Sequence, residues 1–347
     1  MKFVNFDPVI FLCVVVLTSL GLTTLSSVAP EVFWQQFFFS LLGLFSFLIF
    51  NQIDYHLIKP FAKLIYVFSI ISLGSTILFG IASHGAVRWI PIGSFRLQFS
   101  EVFKPFLIVA FAGLFANSEV NLKKIVFSIL WQLPILFLIF SQPDLGGTLV
   151  YLAGFSLMFF VSGVNIKILA TMFFASLGTL PIIWQLLADY QKERIVTFLN
   201  PGHDVLGSSY NAVQSVITVG SGMLFGKGLG RGTQSHLFFL PEKHTDFIFA
   251  SFAEEFGLVG VTFMLAVFFI LLVRLIHIYD QTRDPLGKLI VGGVLGMFLF
   301  QVTINIGMNL GLVPITGITL PLISYGGSSV LASLTGLGIV SSVSRKS

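Results

Sequence analysis

Long apolar runs alternate with short polar connections along nearly the whole chain, and each run approaches the ~20 residues that cross a bilayer as a helix. Ten of them stand out: 8–28, 31–51, 60–81, 100–116, 124–140, 146–163, 165–187, 244–273, 287–311 and 325–343. The pattern predicts an all-α integral membrane protein, a single polytopic domain over 1–347 with ten transmembrane helices. Basic residues orient it. Lys2, Lys59, Lys63, Lys123, Lys124, Lys167, Arg274, Arg283, Lys288, Arg345 and Lys346 fall on one set of short loops. Positive residues stay inside, so both termini are expected in the cytoplasm. The segment 188–243 then becomes a large extracytoplasmic loop between helices 7 and 8, and most of the other bases sit in it.

Three outward segments differ from plain connectors. GAVRWIPIGSFRLQFSE (85–101) is aromatic and basic. The loop 188–243 far exceeds the ~15 residues beyond which loops tend to be functional or disordered. Within it, Val213 to Phe225 is apolar but too short to span, and reads as a re-entrant or interfacial segment. PITGITLPLISYGGSS (314–329) is rich in Pro and Gly, and suits a broken helix facing a protein-lined cavity.

Composition narrows the class. The chain is 55% hydrophobic and 10% charged, with a mean hydropathy of +0.95, whereas soluble domains carry about 25% charged residues. No polar surface could be assembled from it. The net charge of +4 is spread over many loops, which argues against a nucleic-acid-binding tail. The lone Cys13 cannot form an internal disulfide, and no cleavage site follows the first run, which is read as a retained helix.

Few groups remain for chemistry. Carboxylates in a would-be membrane helix are costly and are functional candidates by default; Asp246, Glu254 and Glu255 fall in or beside the eighth run. With Thr245 as N-cap, Asp246 would open that helix, where the macrodipole favours its ionised form; the plainer alternative is that it only complements the dipole. Glu101 and Lys104 are three apart and can pair, either to let the helix insert or to hold a buried cation for an anionic ligand. The fork of Arg88 suits phosphate, while Trp89 beside it is a natural interfacial anchor. Asp144 lies in the turn before the sixth helix. GSGMLFGKGLGRGTQ (220–234) carries Lys227 and Arg231 on glycine-rich backbone of the kind that cradles phosphate, though without P-loop spacing. His244 could tune Asp246. No histidine or cysteine spacing suggests a metal site.

Seven stretches, in order, together resemble the SEDS family, the shape, elongation, division and sporulation proteins of bacteria. They are RWIPIG (88–93), QFSEVFK (98–104), QPDLGG (142–147), FLNPGHDVLGSSYNAVQS (198–215), GSGMLFGKGLGRGTQ (220–234), LPEKHTDFIFASFAEEFGLVG (240–260) and NIGMNLGLVPITGITLPLISYGGSS (305–329). PEKHTDFIF and the short N-terminus resemble the elongation branch, RodA, more than the division branch, FtsW. The resemblance implies a peptidoglycan glycosyltransferase that polymerises lipid II into nascent glycan at the outer face of the bacterial cytoplasmic membrane. It implies a class B penicillin-binding protein as transpeptidase partner, and other membrane proteins of the elongation complex. Carried over by motif, Asp246 is the catalytic carboxylate, Glu101 and Lys104 the essential pair, and Arg88 and Trp89 the loop before that pair. Phe99, where the family usually has proline, is a small departure. An inverting displacement needs a base for the acceptor hydroxyl, the role assigned to Asp246. Lys104, Arg88, Arg194, Lys227 and Arg231 are candidates to stabilise the leaving diphosphate. A divalent cation, Mg or Mn, could assist or replace them. The alternative is a lipid II flippase, for which ten helices and intramembrane charges also suit.

Overall fold

The computed structural model describes residues 6–83, 86–93, 95–116, 122–200, 209–237 and 239–346. In chain order the helices begin with α1 (Pro8–Val28) and α2 (Pro30–Gln52), then α3 (Tyr55–Ile58) and α4 (Ala62–Phe79). Three strands follow, β1 (Ile81–Ser83), β2 (Ala86–Ile92) and β3 (Phe95–Leu97), then the short α5 (Phe99–Val102) and α6 (Lys104–Phe115). Next come α7 (Leu122–Ser141), α8 (Leu145–Val161), α9 (Ile166–Leu186), α10 (Asp189–Leu199), α11 (Tyr210–Ser221) and α12 (Thr233–His236). The chain ends with α13 (Ile248–Gln281), α14 (Pro285–Asn309) and α15 (Gly327–Lys346).

Among the described residues eight helices are long and apolar enough to cross a membrane, with α6 and α8 as shorter apolar helices. The expected runs therefore all appear as helix, two of them shorter than a full span. The core lies where α15 packs on α2, α14 on α8, and α13 on α1 and α14. Aromatic residues such as Phe111, Phe155 and Phe252 fill it. By contrast α9 has no fully buried residue and, among the described residues, touches the core only through Ile168, Leu169 and Met172 near its start; an apolar helix with so little protein cover is one that lipid must solvate.

Three departures from the sequence pattern shape the site. The segment expected only as an unusual connector folds into an antiparallel sheet in the order β1-β2-β3. The helix expected from residue 100 is broken at Phe103, so Glu101 and Lys104 lie on either side of a junction. The helix expected from residue 244 begins at Ile248 instead, its N-cap is Phe247, and Asp246 stands in the turn before it. Thr245 does not cap: its hydroxyl turns back to Glu242, at 2.9 Å from Oε2.

That eighth run is itself interrupted. Gly257, at φ 64° and ψ −167°, breaks α13. The break frees backbone groups that a membrane helix cannot leave unpaired. The glycine-rich segment supplies the partners. Leu258 N–H donates to Met223 O at 2.8 Å and Val259 N–H to Leu224 O at 3.0 Å. Lys227 N–H donates to Glu254 O at 2.9 Å and Gly228 N–H to Glu255 O at 3.0 Å. Gly226 sits at φ +75°, and a Cβ there would run into the Glu255 carbonyl and Gly257 N. Glycine is required because backbone approaches backbone, not because phosphate approaches it.

Candidate functional site

The turn that carries Asp246 is clamped through four successive carbonyls. Ser251 Oγ donates to Lys243 O at 3.1 Å. The N–H of Tyr325 donates to His244 O at 2.9 Å. Ser324 Oγ donates to Thr245 O at 2.7 Å. Asn305 and Asn309, one turn apart on α14, donate their Nδ2 groups to Asp246 O at 3.1 and 3.0 Å. The irregular segment before α15 thus packs against the turn, with Leu320, Leu322 and Ile323 buried behind it.

While the backbone of Asp246 is held from every side, its carboxylate accepts no hydrogen bond among the described residues. Its neighbour is Arg194 of α10. Gly317, at φ +72°, leaves the space between them: a Cβ there would lie 3.6 Å from Arg194 Nη1 and 3.6 Å from Asp246 Oδ2. Burial raises the Asp246 carboxyl to about 6, against the opposing pull of the Arg194 charge. Such an acid exchanges its proton near neutral pH, which is what a general base requires.

Arg194 itself reaches Ile315 O at 3.4 Å and lies 5.6 Å from the centre of the Tyr190 ring. A second guanidinium is held close by. Arg88, on β2, donates to Gln142 O at 3.3 Å and to the Pro143 carbonyl. It also donates to the Tyr190 hydroxyl at 3.1 Å and faces Asp144 at 3.6 Å. Asp144 caps α8 through Gly147 N–H at 2.9 Å and takes Gln98 Nε2 at 3.1 Å. The sheet therefore delivers Arg88, the cap of α8 delivers Asp144, and α10 delivers Tyr190 and Arg194. One unpartnered carboxylate faces two fixed cations, an arrangement able to take a proton on one side and an anion on the other.

Of the residues singled out in the sequence, Asp246, Arg194, Arg88 and Asp144 come together. Glu101 and Lys104 do pair, at 2.5 Å, with Lys104 buried and Glu101 mostly so, but in a separate cavity of about 20 Å³ with Gln301, Ser333 and Met297. Gln301 is one turn of α14, about 5.4 Å, from Asn305, so the pair lies deeper in the bundle than Asp246. Two expectations are corrected. Lys227 is tied to Glu254 at 2.8 Å and to Thr233 at 2.7 Å, and Arg231 is exposed on the same loop; neither faces Asp246. His244 packs on the Tyr325 ring at 5.5 Å rather than orienting Asp246, and burial pulls its imidazole below the usual value. Trp89 lies in β2 opposite Ile81. Part of the motif 198–215, residues 201–208, falls outside the described residues.

Sequence reasoning missed Asn305, Asn309, Tyr190 and Ser324. The two asparagines carried a signal: a pair of amides four residues apart in an apolar run is costly unless both are hydrogen-bonded. Among the described residues no group of three or more His, Cys, Asp or Glu side chains could hold a metal ion. Asp246 and Asp144, each facing a guanidinium, make a poor resident metal site. A Mg or Mn ion would arrive held by phosphate oxygens of a substrate.

The model of the FtsW, RodA and SpoVE family, described as cell cycle proteins, matches residues 2–347. The chain is 37% identical over 306 residues to the peptidoglycan glycosyltransferase MrdB of Escherichia coli K12, covering 87% of this chain and 82% of that one. It is 31% identical to the peptidoglycan glycosyltransferase RodA of Treponema pallidum, with 99% and 98% covered. A chain solved in work on the structural coordination of polymerization and crosslinking by a peptidoglycan synthase complex superposes with a TM-score of 0.85 at 31% identity, with 99% of each chain covered. The rod shape determining protein RodA of Thermus thermophilus superposes at 0.75 and 29% identity, with 100% and 99% covered.

Proposed function

The chain belongs to the FtsW, RodA and SpoVE family, and on that footing we propose that it is a peptidoglycan glycosyltransferase in which Asp246 is the general base. The substrate is lipid II, a disaccharide pentapeptide on a prenyl diphosphate, and the product is a glycan strand. Asp246 takes the proton from the acceptor hydroxyl as its oxygen attacks the anomeric carbon of the donor. The bond from that carbon to the diphosphate breaks, and its electron pair leaves on the phosphate oxygen. Arg194 and Arg88 lie where that charge develops. They are fixed beforehand by Tyr190, Pro143 and Ile315, so little reorganisation is needed during reaction. Glu101 and Lys104 act deeper in the bundle, as a buried pair that sets the junction between α5 and α6.

The protein is a multi-pass membrane protein. Ten spans with both termini in the cytoplasm fit the eight long helices, the two shorter ones and the distribution of Lys and Arg. The site then opens at the outer face of the bacterial cytoplasmic membrane, where the lipid-linked sugar is presented. The likeness to a chain of a peptidoglycan synthase complex supports a class B penicillin-binding protein as partner, with a role in cell elongation beside the other membrane proteins of that machinery. The single observation carrying the enzymatic reading is the clamped turn with a carboxylate that accepts no hydrogen bond beside Arg194.

The test is polymerisation of labelled lipid II by the purified protein together with its transpeptidase. The wild type is expected to make long glycan, and Asp246→Asn to lose about 10²- to 10⁴-fold in rate while staying folded. Glycan synthesis retained by Asp246→Asn removes the residue from this role. A wild type that translocates lipid II between leaflets but never joins it would favour the flippase.

A further inference from the structure

A second cavity, of about 320 Å³, has Arg194 in its lining and falls within the size range of small-molecule sites. Its walls are α10, α11 and the stretch after α14, chiefly Phe198, Val213, Val216, Val313, Pro314 and Ile315. Arg194 apart, its lining has no part in the polymerisation chemistry.

Helix α11 is turned inside out for a helix facing water. Its polar Ser215 and Thr218 are buried, while Val213, Val216 and Ile217 are exposed. These three apolar residues share one face at helical spacing. The polar face is anchored: Ser215 Oγ donates to Asn309 O at 3.0 Å. Asn309 also holds the Asp246 carbonyl. An apolar wall is therefore bolted to the same asparagine as the catalytic turn. The polar end of the cavity carries two groups. One is Arg194, shared with Asp246. The other is Ser209, fully buried and lining the cavity, whose Oγ has no hydrogen-bond partner among the described residues. A buried hydroxyl left unpaired costs about 1–3 kcal/mol unless a ligand satisfies it.

We propose that this cavity is the binding site for the diphosphate-proximal isoprene units of the donor lipid, with its diphosphate on Arg194 and Ser209. The inference rests on the glycosyltransferase reading of the neighbouring site. The layout is linear. The sugar's anomeric carbon lies at Asp246, the diphosphate at Arg194, and the chain beyond it against Val213 and Val216. Holding the chain just after the leaving group fixes the direction in which the diphosphate departs, and contacts remote from the reacting bond help orient it.

The experiment separates the two readings by measuring binding without turnover. Geranylgeranyl diphosphate is titrated onto the protein in nanodiscs, for wild type, Val216→Trp and Val216→Ala, with geranylgeraniol and inorganic diphosphate as controls. Val216 is partly exposed, so Trp can be accommodated while its ring enters the cavity. Val216→Trp is expected to weaken geranylgeranyl diphosphate binding by about tenfold or more, the scale set by losing a few buried methylenes. Val216→Ala should weaken it less, and neither control ligand should bind as well as the diphosphate lipid. In polymerisation assays Val216→Trp should raise KM for lipid II more than it lowers kcat. Binding unchanged by Val216→Trp, or equal binding of inorganic diphosphate, overturns the assignment. Loss of glycan synthesis by the wild type with prenyl diphosphate binding intact would sink the enzymatic reading and spare the cavity.

Discussion

Asp246 and Glu254 are eight residues apart, and both sit where an acid is expensive. Their surroundings are opposite. Glu254 is fully buried and saturated: it takes Lys227 at 2.8 Å, the N–H groups of Gln234 and Ser235 at 2.9 and 3.0 Å, and the Ser235 hydroxyl at 2.7 Å. Glu255 beside it takes Gly230 N–H and His236, each at 3.1 Å, and the Ser27 hydroxyl. Among the described residues the Asp246 carboxylate takes nothing, although its backbone is the better clamped of the two. A carboxylate whose partners are all internal holds a fold together. One that is positioned but left without partners is free to meet a substrate.

The largest expected effect comes from emptying the saturated acid. Glu254→Ala strands Lys227 and two backbone donors, and is expected to cost about 3–5 kcal/mol of stability, read as lost yield and a lowered melting temperature in detergent. Glu254→Gln keeps an acceptor and should cost less. Equal melting temperatures for wild type and Glu254→Ala would erase the contrast.

Arg194→Ala follows. Removing one fixed cation from a developing anion is expected to lower the polymerisation rate by about 10²- to 10³-fold, with the melting temperature little changed. Arg194→Lys should restore part of the rate; a drop only in stability would make Arg194 another structural group.

Gly226→Ala is smaller, about 2 kcal/mol, because the new Cβ meets the backbone of Glu255 and Gly257 at a positive φ. Gly230→Ala, at φ +73° with open space around it, should cost only about 1 kcal/mol. If the two were equal, the glycine-rich segment would not be the partner of the helix break.

The last effect has the opposite sign. The folded Asp246 carboxyl lies at about 6, above its ordinary 3.8, with burial as the main cause. Its protonated form is the one the fold prefers. The stability it contributes is complete below pH ~4 and is lost as pH rises through about 6. Asp246→Asn removes that loss, so the variant should melt no lower than wild type at pH 7.5, with an advantage of at most ~3 kcal/mol. The advantage should vanish below pH ~4.

Much of this architecture was legible because lipid imposes a length and a hydropathy that no tertiary contact overrides. The ten apolar runs, from 8–28 to 325–343, all return as helix. Where the reading fell short, a long-range contact decided. Nothing local reveals that the run through Gly257 is broken, since the run continues apolar beyond it and the partners that mend the break lie some thirty residues earlier. For the same reason Lys227 read as a phosphate ligand: the glycines around it suit either purpose until Glu254 is placed against it. Asp246 was singled out by its type and its motif, but its position in a turn, rather than on a first helical residue, depends on Asn305 and Asn309 reaching across from α14. Arg194 and Arg88 were legible as cations. Their convergence was not, because it is assembled by a three-stranded sheet and a helix more than a hundred residues apart.

The most direct measurement is the polymerisation rate of lipid II between pH 5 and 8 for the purified wild type and Asp246→Asn, each with its transpeptidase partner. The wild-type rate is predicted to fall about tenfold per unit below a break near 6, and the variant to be slower by at least about 10²-fold with no such break. A wild-type profile without that break, or a variant that reproduces the wild-type curve, would contradict a base at Asp246.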